Sequence, residues 1–175
     1  VLVKNIAPDV LGSDPTGLTP AGGTLYFTAA DGTGTQLWKS RGTTGSTKRV
    51  KDIAGGQAFF DDLTAFGSKL LLRVTTPTKG GELWISDGTS GGTKIVKDIF
   101  PGTDDGLAVL LPGTALAGDP SSFPSRLTNM DGTLYFAADD GVHGIELWKS
   151  AGTAASTVLV KNIAPDVLGS DPTGL

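Results

Sequence analysis

The sequence predicts an all-β fold of tandem four-stranded antiparallel blades, β-propeller-like, and three observations carry that reading. Residues 1–18 (VLVKNIAPDVLGSDPTGL) return unchanged at 158–175, so the chain has a period of 157 residues. A shorter period runs inside it, marked by VKNI at 3–6, VKDI at 50–53, VKDI at 96–99 and VKNI at 160–163. Composition then favours turns and strands over helices, with 26 Gly and 10 Pro among 175 residues and no segment with a helical apolar stripe.

The other markers keep step with the first. Leu-Trp stands at 37–38, 83–84 and 147–148, and Leu-Thr at 18–19, 63–64 and 127–128. GTLYF at 23–27 returns at 132–136, with the looser SKLLL at 68–72. Leu-Thr precedes the centre of that element by 8 residues in every copy, and each Trp precedes the next VK by 12. The copies are bounded as 1–47, 48–93 and 94–157, with 158–175 opening the next long unit. The third copy is longer in one place, an insertion at about 107–122.

Each element has a reason. Leu25 to Ala29 is short, aromatic and bounded by glycine, and Ala30-Asp31-Gly32 offers a hairpin turn. Gln36 to Ser40 alternates polar and apolar, as a half-buried strand does. Gly42-Thr43 supplies the next turn, and Lys48 to Ile53 alternates again with Val50 and Ile53 as anchors. A shorter strand around Leu18-Thr19 completes four strands in about 46 residues, the size of one propeller blade. A β-solenoid-like array is the alternative.

The motif GGELWISDGTSGGTKIVKDIFPG at 80–102 resembles the bacterial ELW-x-x-DGT repeat family, and 35–55 and 145–165 look like diverged copies. Gln36 and Arg41 stand where that motif has Glu and Asp, and Ala151 replaces Asp in the third copy. The resemblance implies propeller-like repeats of large secreted or surface-attached bacterial proteins. It implies no particular activity.

Chemistry is sparse. The single histidine, His143, lies in the turn Asp140-Gly141-Val142-His143-Gly144 and reads as a solvated turn residue. With no cysteine and no second histidine, neither a thiolate nor a His-rich metal site is available. Asp139-Asp140-Gly141, Asp104-Asp105-Gly106 and Asp87-Gly88-Thr89 lack the spacing of a calcium loop and read as turns, calcium being the alternative. A formal charge of −4 without a basic run argues against nucleic acid. The longest apolar run, at 107–112, is too short for membrane insertion. A chain that starts in mid-repeat would have lost any leader, so its absence leaves secretion open.

No catalytic, cofactor-binding or metal residue is therefore assigned. Trp38, Trp84 and Trp148 are expected to pack between adjacent blades with Tyr26, Phe27, Tyr135 and Phe136, although exposed tryptophans would stack on sugars. Lys39 and Lys149 are expected in solvent on the opposite face. Leu107, Val109, Leu110 and Leu111 make the insertion apolar, read as either a contact surface or an elaborated turn. With Val1, Val3, Ile6, Val158, Val160 and Ile163 they form the expected assembly interface. Identical ends point to identical neighbouring units as partner, joined by strand pairing at unit boundaries. The expectation is a non-catalytic extracellular filament or surface fibre. The alternative is a lectin-like or adhesive propeller, closed from two three-blade units and binding surface glycans.

Overall fold

The computed structural model describes residues 1–7, 12–101, 121–164 and 169–173. The apolar core of the insertion, Leu107, Val109, Leu110 and Leu111, lies outside them.

Among the described residues, twelve strands form three four-stranded antiparallel sheets, each a meander in chain order. Sheet 1 holds β1 (Thr16–Ala21), β2 (Thr24–Ala30), β3 (Thr35–Ser40) and β4 (Lys48–Lys51). Sheet 2 holds β5 (Phe59–Phe66), β6 (Lys69–Thr76), β7 (Gly80–Ser86) and β8 (Lys94–Lys97). Sheet 3 holds β9 (Ser125–Met130), β10 (Thr133–Asp139), β11 (Ile145–Ser150) and β12 (Val158–Lys161). Within the three sheets every pair of neighbouring strands is antiparallel, unlike the parallel coils of a solenoid. The repeat frame that opens at each VK strand is offset from these sheets by one strand. Each VK strand closes the sheet of the Leu-Trp strand before it.

The sheets repeat their irregularities as well as their strands. Pairing of the third strand with the fourth slips at Leu37/Trp38, Leu83/Trp84 and Leu147/Trp148. The first strand carries a left-handed residue just before its Leu-Thr: Gly17 at φ 63°, Asp62 at 51° and Arg126 at 58°. An extra residue in one strand of a pair bends it and raises the local twist.

Sheets meet face to face. Between sheets 1 and 2, Tyr26, Leu37, Val50 and Ile53 pack against Leu70, Leu72, Val74 and Trp84. Between sheets 2 and 3, Leu71, Leu83, Val96 and Ile99 pack against Leu134, Phe136, Ala138 and Trp148. Sheet 2 is thus covered on both faces. Its β7 is buried at all seven positions, and β6 reads LLL where sheets 1 and 3 read LYF. A strand covered on both sides has no polar face to keep, so alternation disappears.

The first strands run side by side. Thr19 Oγ1 donates to Leu63 O across 3.1 Å, and Thr64 Oγ1 to Leu127 O across 3.2 Å. Asn129 Nδ2 adds a bond to Ala65 O at 2.9 Å. The Leu-Thr marker therefore belongs to the seam between successive sheets.

Candidate functional site

The residues with reactive side chains are occupied by turns. Asp140 accepts backbone N–H bonds from Val142 (3.0 Å) and His143 (2.9 Å), and its other oxygen lies 2.8 Å from His143 Nδ1. Burial alone would raise the Asp140 pKa. The bonds from His143 and Val142 outweigh it and hold the carboxyl below its ordinary value. The pair staples a hairpin. Asp87 likewise accepts from Thr89 N–H and Oγ1, at 2.8 and 2.6 Å, and is held below its ordinary value chiefly by those bonds. Among the described residues no three His, Cys, Asp or Glu side chains gather as a metal would require. Asp104 and Asp105 lie outside those residues.

What the repeats do build is a joint, and it begins with a short hairpin. The serine ending the third strand bonds a threonine seven residues on: Ser40 to Thr47 at 2.7 Å, Ser86 to Thr93 at 2.7 Å and Ser150 to Thr157 at 2.8 Å. The same threonine hydroxyl lies within hydrogen-bonding distance of the carbonyl four residues back, and the serine oxygen accepts the glycine N–H two residues on. These bonds fix the loop. Its threonine carbonyl is left to receive a lysine from the preceding VK segment.

That lysine is the one in VK. Lys51 Nζ donates to Thr93 O at 2.8 Å and stands 6.0 Å from the centroid of the Trp84 ring. Lys97 Nζ donates to Thr157 O at 3.0 Å, 5.5 Å from Trp148. Lys4 Nζ donates to Thr47 O at 2.9 Å, 5.7 Å from Trp38. An ammonium within about 6 Å of an indole face is attracted by the ring quadrupole. Trp38, Trp84 and Trp148 are 7%, 9% and 5% exposed. Their indole N–H groups have no protein acceptor among the described residues, so packing and the lysine hold them. Rings this buried are packed rather than presented to solvent.

A buried polar side chain ties down the chain leaving each sheet. Glu82, with no exposure, accepts from Ile99 N–H (3.1 Å), Ser122 N–H (3.3 Å) and Ser122 Oγ (2.8 Å). Glu146, equally buried, accepts from Ala164 N–H (3.1 Å) and Ser170 Oγ (2.6 Å). In sheet 1 the position is Gln36. In the amide orientation that satisfies both ends, it donates to Lys51 O and accepts from Gly56 N–H, each at 3.2 Å. Desolvation pushes the Glu82 carboxyl up to about 7. Desolvation is also the largest single influence on Glu146, but bonds from Ser170, Ala164 and Ile163 together outweigh it and bring the carboxyl below its ordinary value. The sequence displays the Glu of ELW and the Gln replacing it, but gives neither a role. The serine–threonine pair escapes a reading by motif, though its spacing recurs in all three copies.

Two expected positions differ. Lys39 is not a free surface lysine: its Nζ donates to Gly88 O at 2.6 Å, across the joint from sheet 1 to sheet 2. The Tyr26 hydroxyl lies beside the same glycine, its pKa raised by burial and then by the Asp87 carboxylate. Tyr135, expected in the core, is half-buried although Tyr26 is 2% exposed. Tyr26 has sheet 2 against it, whereas no sheet follows sheet 3 among the described residues. Phe27 and Phe136 are buried.

Among the described residues, joint positions at the two ends are more exposed than their internal counterparts. Val50 and Val96 are 6% and 7% exposed, yet Val160 is 42% exposed. Ile53 and Ile99 are each 4% exposed, yet Ile163 is 55% exposed. Val158 is exposed as well. At the other end residues 1–7 lie against sheet 1, where Ile6 packs on Phe27, Ala29 and Trp38, while Val1 and Val3 stay exposed. An apolar groove of about 420 Å³ remains there, lined among others by Leu2, Val3, Ile6, Leu18, Leu25 and Phe27.

No family model, curated protein or solved structure matches this chain, so the resemblance to ELW-x-x-DGT repeats rests on its own residues.

Proposed function

We propose that the chain is a non-catalytic structural repeat module whose sheets are propeller-like blades and whose units join head to tail. The single observation behind this is the exposure of Val160 and Ile163 at positions buried in both internal joints. Apolar side chains identical in sequence context to buried ones, left bare at one end, fit a face that receives another sheet. The adjacent first strands, linked through Thr19 and Thr64, support the blade reading, with β1, β5 and β9 innermost.

Internal joints refine the expected mode of assembly. No strand crosses from one sheet to another among the described residues, and the sheets stack by their faces. The unit joint is therefore read as sheet 3 of one copy stacked on sheet 1 of the next, not as an added edge strand. Such a heterologous contact builds a filament, or a ring where the rotation closes. The unchanged eighteen residues favour many units in equal surroundings, hence a filament. Its place outside a bacterial cell rests on the ELW-x-x-DGT resemblance.

Negative-stain electron microscopy of the purified chain at rising concentration tests the reading. Filaments with a regular axial repeat are the expected outcome. Discrete rings overturn the filament and transfer weight to a closed, ligand-binding propeller. Monomers at every concentration remove the assembly.

A further inference from the structure

The same seven residues occupy two different settings in this molecule. Residues 158–164 (VLVKNIA) begin with strand β12, paired to β11 through Leu147↔Lys161, Trp148↔Leu159 and Lys149↔Val158. Residues 1–7, with the identical sequence, form no strand. They nevertheless reach the place on sheet 1 that β4 and its exit hold on sheet 2 and that β8 and its exit hold on sheet 3. Lys4 makes the bond to Thr47 O that Lys51 makes to Thr93 O, over the corresponding tryptophan.

The seat is incompletely filled. Val3 is 41% exposed where Val50 is 6% exposed. A Cβ at Gly88 would meet the Tyr26 hydroxyl and one at Gly152 would meet Ile85 Cδ1, but one at Gly42 meets nothing within 4 Å. Sheet 3 carries what is missing. Tyr135 and Lys149 stand where Tyr26 and Lys39 stand in sheet 1, and Lys161 stands where Lys51 does. Its strand is already ordered by β11, so it delivers these groups with less conformational entropy left to lose.

We propose that the leading face of sheet 1 is the receptor for sheet 3 of a second copy, and that residues 1–7 are its intramolecular occupant, displaced when copies join. This rests on the head-to-tail reading above and adds exchange of one VLVKNIA segment for another. Lys161 of the incoming copy takes the position of Lys4 between Trp38 and Thr47 O. Val160 and Ile163 take those of Val3 and Ile6, and Tyr135 covers Gly42. An occupied receptor binds with an apparent affinity reduced by the fraction left open, so residues 1–7 restrain assembly.

The absence of cysteine allows a direct test. Thr44 Oγ1 donates to Val3 O at 2.7 Å, so these positions report the resident segment. A chain carrying Val3→Cys and Thr44→Cys is treated with a short bismaleimide across a concentration series. A mixture of Thr44→Cys chains with Val160→Cys chains is treated in parallel. Expected are an intrachain 3–44 link that declines with concentration and an interchain 44–160 link that rises. Deleting residues 1–7 should tighten association, followed by sedimentation velocity, by about tenfold or more. Association with an undiminished 3–44 link and no 44–160 link overturns the exchange and leaves head-to-tail joining intact. Monomers at all concentrations, for both the full chain and a deletion variant that keeps its β circular dichroism, overturn both.

Discussion

Glu82 is a carboxyl group buried from solvent, and its pKa near 7 makes it the residue whose protonation bears most directly on stability. The sign follows from linkage. The folded state holds this proton more tightly than the unfolded chain, whose value lies near 4.5. The stability it contributes is therefore fully present below pH 4.5 and is lost as pH rises through about 7. A change of that size corresponds to roughly 3 kcal/mol. Glu82→Gln removes the titration, and Gln36 shows that an amide serves at this position in sheet 1. The melting temperature of the variant relative to the parent should climb between pH 4.5 and 7. Parallel curves across that window would show that Glu82 does not titrate there. Gly88 makes a second residue-scale case. An alanine Cβ there would stand 2.6 Å from the Tyr26 hydroxyl at a φ of 82°, whereas Gly42 has φ 83° and open space. Gly42→Ala should cost only the left-handed backbone, about 1 kcal/mol. Gly88→Ala should cost at least about 1 kcal/mol more, through overpacking. Chemical denaturation of the two variants measures the difference, and equal losses would refute the close contact.

The elements were legible in sequence to different degrees, for physical reasons. GTLYF and LWKS announce strands because each needs an apolar face and is bounded by turn residues. The VK strand is shorter than its alternation suggests, ending at Lys51 and Lys97 because the chain then turns toward Gln36 or Glu82. What spacing could not reveal is which sheet a strand joins and what its lysine does. Val50 and Lys51 belong to sheet 1 by hydrogen bonding, yet their side chains serve sheet 2. A period locates a joint without saying on which side of it each backbone lies. The lysine predicts a contrast between chemically equal elements. Lys51→Met deletes the bond to Thr93 O and the contact with Trp84, and should cost about 1–2 kcal/mol. Lys161→Met should change monomer stability by less than about 0.5 kcal/mol, since exposed Lys161 stands clear of any such joint in the monomer. Urea unfolding at low protein concentration separates the two. Equal losses would mean that the lysine acts within its own sheet.

At the scale of the whole molecule, the described residues form three stacked sheets with two filled joints, a leading face partly filled by residues 1–7 and a trailing face left bare. The proposed assembly can be tested by placing one substitution at different levels. Val50→Asp puts a carboxylate between sheets 1 and 2, within the apolar cluster that includes Leu70, Leu72 and Trp84. A charge buried without a partner costs several kcal/mol, and this variant should be largely unfolded. Val160→Asp places the same carboxylate at the corresponding position of sheet 3, where the parent side chain is 42% exposed. The monomer should keep its melting temperature within about 2 °C, in line with a surface change of less than about 0.5 kcal/mol. Self-association should be abolished, because the carboxylate would lie against the leading face of the next copy. Thermal denaturation and sedimentation velocity on the same samples supply both readouts. A Val160→Asp chain that melts normally and still assembles would exclude this face from the joint. One that unfolds as Val50→Asp does would mean that the trailing face of sheet 3 is already covered within its own chain. The discriminating result is the combination of intact folding with lost association, because a strand that merely completed sheet 3 could not produce it.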